Sequence, residues 1–232
     1  MNGADHAEQL SLDPYELDVD GALEQAFATH RVGRAAILGA GLAGGLLAAL
    51  TRPGRAGAFA AGDVSILNYA LTLEYLQASF YTEAERVGAL SGRSRQAARL
   101  LGAVERAHVA ALQKALGPAA VGRPRFNFQG TTEDPQKFLK TAVAFEDLAV
   151  AAYKGQAPAI RSDALLAAAV SIHSVEARHA AWMRHLFGLV PATTAFDQPE
   201  SRAHIERIVA STHFIAAQKT TTTGKGAPRY TG

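Results

Sequence analysis

Six residues constrain this chain more than any others: Glu74, Glu105 with His108, Glu146, and Glu176 with His179. Their order is Glu … Glu-x-x-His … Glu … Glu-x-x-His. Three residues of a helix turn through roughly 300°, so the Glu and His of each pair lie within about 60° of one another and reach one point. A four-helix bundle that holds two transition-metal ions between its helices uses this set, with a lone Glu from each of two helices and a Glu-x-x-His from each of the other two. The spacing repeats as well: Glu74 to Glu105 spans 31 residues and Glu146 to Glu176 spans 30. A metal site on a pseudo-two-fold axis is the simplest account of that repetition. One Glu-x-x-His alone reads as a solvated helix face; two, each following a Glu one hairpin upstream on an apolar face, read as a site.

The repeat extends beyond these residues. Glu74, Leu76 and Tyr81 match Glu146, Leu148 and Tyr153 at an offset of 72, and Val104, Glu105 and His108 match Val175, Glu176 and His179 at an offset of 71. A pair of helical hairpins is duplicated. The first helix is expected from about Asp63, which can cap it, to Val87, with Gly88 just past its end. The second runs from about Ser94 to Leu116 and stops at Gly117 and Pro118. Residues 117–134 are too long for a tight turn and read as a crossover between the two halves. Asp134 and Pro135 supply a cap and a first-turn proline for the third helix, which ends near Lys154 and Gly155. A fourth helix spans about Ser162 to Phe187, and a short fifth about Pro199 to Ser211.

The expected fold is all-α: a bundle over residues 62–188, a short C-terminal helix within 189–217 and a disordered tail over 218–232. The apolar residues are mostly Ala and Leu over the centre, which favours helix over strand.

Residues 1–61 read differently. The first 30 hold seven acids and no Lys or Arg, leaving 23 bases against 14 acids in the remainder. No basic stripe is interleaved with aromatics, so a nucleic-acid partner is not expected. Ala35 to Leu50 is an uncharged run preceded by Arg31 and Arg34. It is short and Gly-rich for a membrane span, which needs about 20 apolar residues. It suits a signal-peptide core, with small residues at Ala58 and Ala60 for cleavage. The expectation is export to the periplasm or cell envelope with no stable span in the mature form; an N-terminal helix packed on the bundle of a cytoplasmic protein is the alternative. The chain has no Cys, which excludes disulfides and thiolate metal centres.

Mixed carboxylate and imidazole donors suit iron, or manganese, more than calcium or magnesium. Four carboxylates balance two divalent ions, which makes so much buried negative charge tolerable. On this reasoning Glu105 and Glu176 bridge two ions, Glu74 and Glu146 are terminal, and His108 and His179 each bind one. Tyr81 and Tyr153 follow their helix's Glu by seven residues, two turns along the same face, as redox-active phenols, hydrogen-bond donors or aromatic filling. His173, three before Glu176, is read as a surface residue, with a partner of the site or a residue on its entry path as alternatives. Trp182 is assigned to the core, His185 to the surface, Glu83 and Glu85 to solvent, and Asp147 to structure.

With those residues in view the chain resembles the ferritin-like di-iron carboxylate proteins, and most of all the bacterial and plant group that includes desiccation-related proteins. The likeness runs from about Gly62 to Ile215, through the segment from Gly62 to Glu74, Phe126 to Phe128 in the crossover, Ala195 to Asp197, and the final Phe214 and Ile215. Members of that group often carry an exported leader. The ligand order is also similar to that of bacterioferritin and rubrerythrin. Arg106 stands where bacterioferritin carries its haem-binding Met, so no haem is expected; without Cys there is no rubrerythrin-type electron relay. The resemblance implies two iron ions, with manganese as alternative, and oxidation of Fe(II) by O2 or H2O2 in stress-related iron or peroxide handling. An iron-storage cage built from homo-oligomers, a manganese catalase-like enzyme and a non-catalytic metal-stabilised stress protein are the competing implications.

Overall fold

The computed structural model describes residues 59–216, and the architecture below is that of these residues. The acidic leader, the signal-like run at 35–50 and the tail from 217 onward lie outside them. Five α-helices follow in order: α1 Ala61–Val87, α2 Gly92–Leu116, α3 Pro135–Gln156, α4 Asp163–Leu186 and α5 Arg202–Ser211. Among the described residues there is no strand, only an isolated antiparallel bridge between Phe126 and Ile215. None of these helices is long and apolar enough to cross a membrane.

The ends of the helices follow from local chemistry. Asp134 accepts a hydrogen bond from the Lys137 N–H at 2.8 Å, and Pro135 opens the first turn of α3, where its missing N–H leaves no bond unmade. Ser162 caps α4 and Ser201 caps α5 in the same way. Gly88 ends α1 in the left-handed region at φ 71°, a conformation Gly adopts without steric cost. Asp63 behaves otherwise than expected. Helix α1 begins two residues earlier, and the buried Asp63 carboxylate accepts from the backbone N–H groups of Arg161 and Ser162. It therefore fastens the start of α4 rather than that of its own helix.

That contact, start to start, means α1 and α4 run in the same direction. Phe80 near the end of α1 stacks on Phe138 near the start of α3, with ring centroids 5.2 Å apart, so α1 and α3 run oppositely. With α1–α2 and α3–α4 each a hairpin, α2 and α3 are parallel, and the chain between them must travel the length of the bundle. It does so strapped to α1. The Asn68 side chain bonds to Ala119 and Val121, Tyr75 to Val121, Ser79 to Arg123, and Glu83 to Thr132. Glu83, expected in solvent, is thus half-buried and accepts from the Thr132 hydroxyl at 2.9 Å. Phe128 leaves the strap for the core, where it meets Phe80 and Phe214 edge-on.

One end of the bundle is filled by rings: Phe80 touches Tyr81, Phe128, Phe138 and Phe145, with centroid separations of 5.1–5.4 Å. Trp182 is half-buried and packs against this cluster. Asp147 forms a forked ion pair with Arg184, and Glu85 pairs with Arg106.

Candidate metal centre

Each helix of the bundle delivers its acidic residue to the interior. The four carboxylates of Glu74, Glu105, Glu146 and Glu176 are 0 % exposed, and His108 and His179 are 7 % exposed. Glu74 comes from α1, Glu105 and His108 from α2, Glu146 from α3, and Glu176 and His179 from α4. Gly102 lets α2 close on α1 beside this point: a Cβ there would lie 2.9 Å from that of Tyr81.

The donor atoms fall into two overlapping groups, each within a span of 4.8 Å. One is Glu74, Glu105, His108 and Glu176; the other is Glu105, Glu146, Glu176 and His179. Glu105 and Glu176 belong to both. His108 Nδ1 lies 3.3 Å from Glu74, 3.3 Å from Glu105 and 3.2 Å from Glu176, so a single nitrogen sits among carboxylate oxygens of three helices. His179 Nδ1 lies 2.9 Å from Glu105 and 3.4 Å from Glu146.

Proximity here is only partly pairing. His179 Nδ1 and one oxygen of each of the four glutamates are buried without a hydrogen-bond partner, although the His179–Glu105 distance would allow one. These five atoms converge on a shared centre, while His108 Nδ1 also lies within hydrogen-bond reach of the other Glu105 oxygen at 3.3 Å. Ligands about 2.1 Å from a common ion sit about 3.0 Å apart at right angles and about 3.4 Å apart at tetrahedral angles. The separations observed match that range, so the residues present fit a pair of metal ions. Buried carboxylates orphaned in this way are otherwise destabilising.

The electrostatics tell the same story. Burial pushes Glu105 up to about 7, with the charges of Glu74 and Glu146 adding to it while His108 and His179 pull it back. Burial and the Glu105 charge raise Glu176 well above the carboxylate range. Burial also opposes ionisation of Glu74, but the His108 charge and its hydrogen bonds outweigh this and leave the group below its ordinary value. Burial disfavours the imidazolium of His179, yet the Glu105 and Glu146 carboxylates overcome it and lift the pKa to about 10. His108 is raised likewise, against burial, by Glu74, Glu105 and Glu176. Raised in this way, the imidazoles favour their protonated forms, which offset part of the buried acidic charge.

Around the six lies a ring of supports. Tyr81 donates its hydroxyl to Glu146, and Tyr153 donates to Glu74 at 2.5 Å. Burial first, then the adjacent glutamate charge, raises both phenols well above their usual value, so they stay protonated donors. Gln77 is a further support that the ligand spacing does not reveal. It is buried and its Nε2 donates to Glu176 Oε2 at 3.4 Å. Its signal in the sequence is a polar side chain one turn after Glu74 on an otherwise apolar face. His173 is half-buried rather than a surface residue, with Nε2 buried and unpartnered, and it belongs to neither donor group. His185 is exposed, as expected.

A family model described as a ferritin-like domain matches residues 62–189. The chain belongs to this ferritin-like family. Among curated proteins none matches it. The ferritin-like assignment accounts for the all-helical bundle, and the buried Glu and His cluster is compatible with a di-metal site in it.

Proposed function

We propose that this ferritin-like chain binds two Fe(II) ions between its four helices and oxidises them with O2 or H2O2. The observation that carries the reading is the sharing of Glu105 and Glu176 by two otherwise distinct donor groups. On this reading Glu105 and Glu176 would be shared by both ions, Glu74 with His108 would hold one, and Glu146 with His179 would hold the other.

Iron so held supplies one-electron redox chemistry, each Fe(II) giving up one electron as it becomes Fe(III). With O2, two Fe(II) and two protons give two Fe(III) and one H2O2; with H2O2, the same electrons and protons give two waters. The residues of the chain do the rest. The four carboxylates, charge-neutral against two divalent ions, favour the ions over protons. Tyr81 and Tyr153 hold the terminal glutamates in place, and Gln77 holds one oxygen of Glu176. The apolar shell limits water, which strengthens every charge interaction inside.

Manganese would be accommodated by the same donors, giving a peroxide-disproportionating site instead. The likeness to the desiccation-related group supports a role in stress, and the run at 35–50 supports export of the protein. The test is anaerobic loading with Fe(II) followed by O2 or H2O2, read by absorbance. Oxidation of two Fe(II) per chain, abolished in Glu105→Ala, is expected; no stoichiometric oxidation rejects the reading.

A further inference from the structure

The repeat that builds the metal centre is broken in one respect. At the offset of 72, Phe80, Phe138 and Phe145 correspond to Ala152, Ile66 and Leu73. The first three fill one end of the bundle with rings. Their smaller counterparts lie at the other end, and there the core contains an apolar cavity of about 30 Å³, lined by Leu73, Leu112, Ala152, Tyr153 and Ile172 among others. The half-buried Gln156 and Ile160 line it on the side toward the surface. Tyr153 is the link to the centre, since it lines the cavity and its hydroxyl reaches Glu74.

We propose that this cavity is a dry holding site for dioxygen, placed one side chain from the metal cluster, so that O2 rather than peroxide is the oxidant. The inference rests on the di-iron reading given above. Size decides against an organic substrate. The space is about twice what one water needs, roughly 10–15 Å³, which suits a diatomic molecule. Chemistry decides against peroxide and water. The wall offers almost no polar partners, and apolar cavities of this kind stay dry while admitting uncharged gases. A peroxide molecule would leave its donors and acceptors unpaired there, at a cost of a few kcal/mol. Dioxygen has no such groups to lose.

Xenon is the probe, because it occupies the same kind of space and needs no metal. The metal-free full chain under xenon pressure, examined by crystallography or xenon NMR, is expected to bind the gas between Leu73, Leu112 and Ile172. Leu73→Phe restores the ring that Phe145 provides in the other repeat and adds about 25 Å³, enough to fill the cavity with little overpacking. It should abolish xenon binding, and Leu165→Ala, which widens the cavity, should increase it. In the Fe(II)-loaded protein Leu73→Phe should slow oxidation by O2 at least fivefold while the rate with H2O2 stays within twofold. Helical circular dichroism and an unchanged count of bound Fe(II) verify that the variant is intact. If it is not, Ala168→Val, smaller and on α4, replaces it. No xenon at this position overturns the proposal, and so does an O2 rate indifferent to filling. A protein that binds xenon here but never oxidises iron leaves the cavity as a gas site and rejects the di-iron reading alone.

Discussion

Tyr153 on α3 donates its hydroxyl to Glu74 on α1, while Tyr81 on α1 donates to Glu146 on α3. Each repeat's tyrosine thus secures the other repeat's lone glutamate. The exchange ties the two antiparallel helices together at the cluster and orients the carboxylates of both lone glutamates.

Replacing Tyr153 with Phe keeps the ring and removes only the donor. A buried hydrogen bond to a charged acceptor contributes about 1.5–3 kcal/mol, so urea unfolding of the metal-free Tyr153→Phe protein should show a loss of that size. Tyr81→Phe should match it, and the double variant should lose roughly the sum because the two bonds lie on different acceptors. A loss confined to one of the two would refute the equivalence of the pair.

Proton release should accompany metal binding. In the metal-free cluster His179, at about 10, keeps its proton at pH 7 and Glu105, at about 7, keeps part of one, while the raised values of His108 and Glu176 favour their protonated forms. These positions must be deprotonated to hold ions, so loading two divalent ions should liberate more than one proton per chain. The sign follows directly: acid supplies the competitor, so affinity falls as pH drops and rises with pH until His179, at about 10, has lost its proton. A pH-indicator dye in weak buffer counts the release, and calorimetry from pH 6 to 8 gives the trend.

Removing a shared donor should differ from removing a terminal one. Glu105→Gln should lower the bound ions from about two to near zero, and Glu74→Gln to about one, by elemental analysis after dialysis. In the metal-free state the ranking reverses for stability. Glu105 is a buried acid among acids, so Glu105→Gln should unfold at the same or higher urea concentration than the parent.

Gln77 reaches Glu176 from α1, and the equivalent position in the other repeat is the small Ala149. Gln77→Ala should leave two ions bound but weaken their affinity about tenfold, the usual scale for a group that steadies a ligand. Competition with a chelator of known strength measures this.

Phe80 sits against four other rings at the filled end. Phe80→Ala should cost about 3–5 kcal/mol in urea unfolding, because the space it leaves cannot collapse among rigid neighbours.

The bundle and the convergence of its six polar residues were legible because both are statements about one helix at a time. Apolar spacing assigns a face, and Glu105 and His108 share it wherever the helix goes. Asp134 at the start of α3 and Gly88 at the end of α1 were likewise local signals. Contacts between distant parts of the chain were not legible. Asp63 and Gln77 bond to groups 98 or 99 residues away, and nothing near them in sequence shows that partner. The same holds for Glu83, whose partner Thr132 lies in the crossover. Filling is a third kind of property. That Leu73 and Ala152 replace Phe145 and Phe80 is visible in the aligned repeats, but that the difference leaves a space rather than a tighter approach depends on helix separation.

Neither helical hairpin can complete a donor group from its own residues. The group around His108 borrows Glu176 from α4, and the group around His179 borrows Glu105 from α2. A protein cut within residues 119–134 would yield two fragments, each with half of the required charge and an apolar face exposed. Their reunion would be governed by the supply of divalent ions, so in such a split form metal availability would act as the assembly signal.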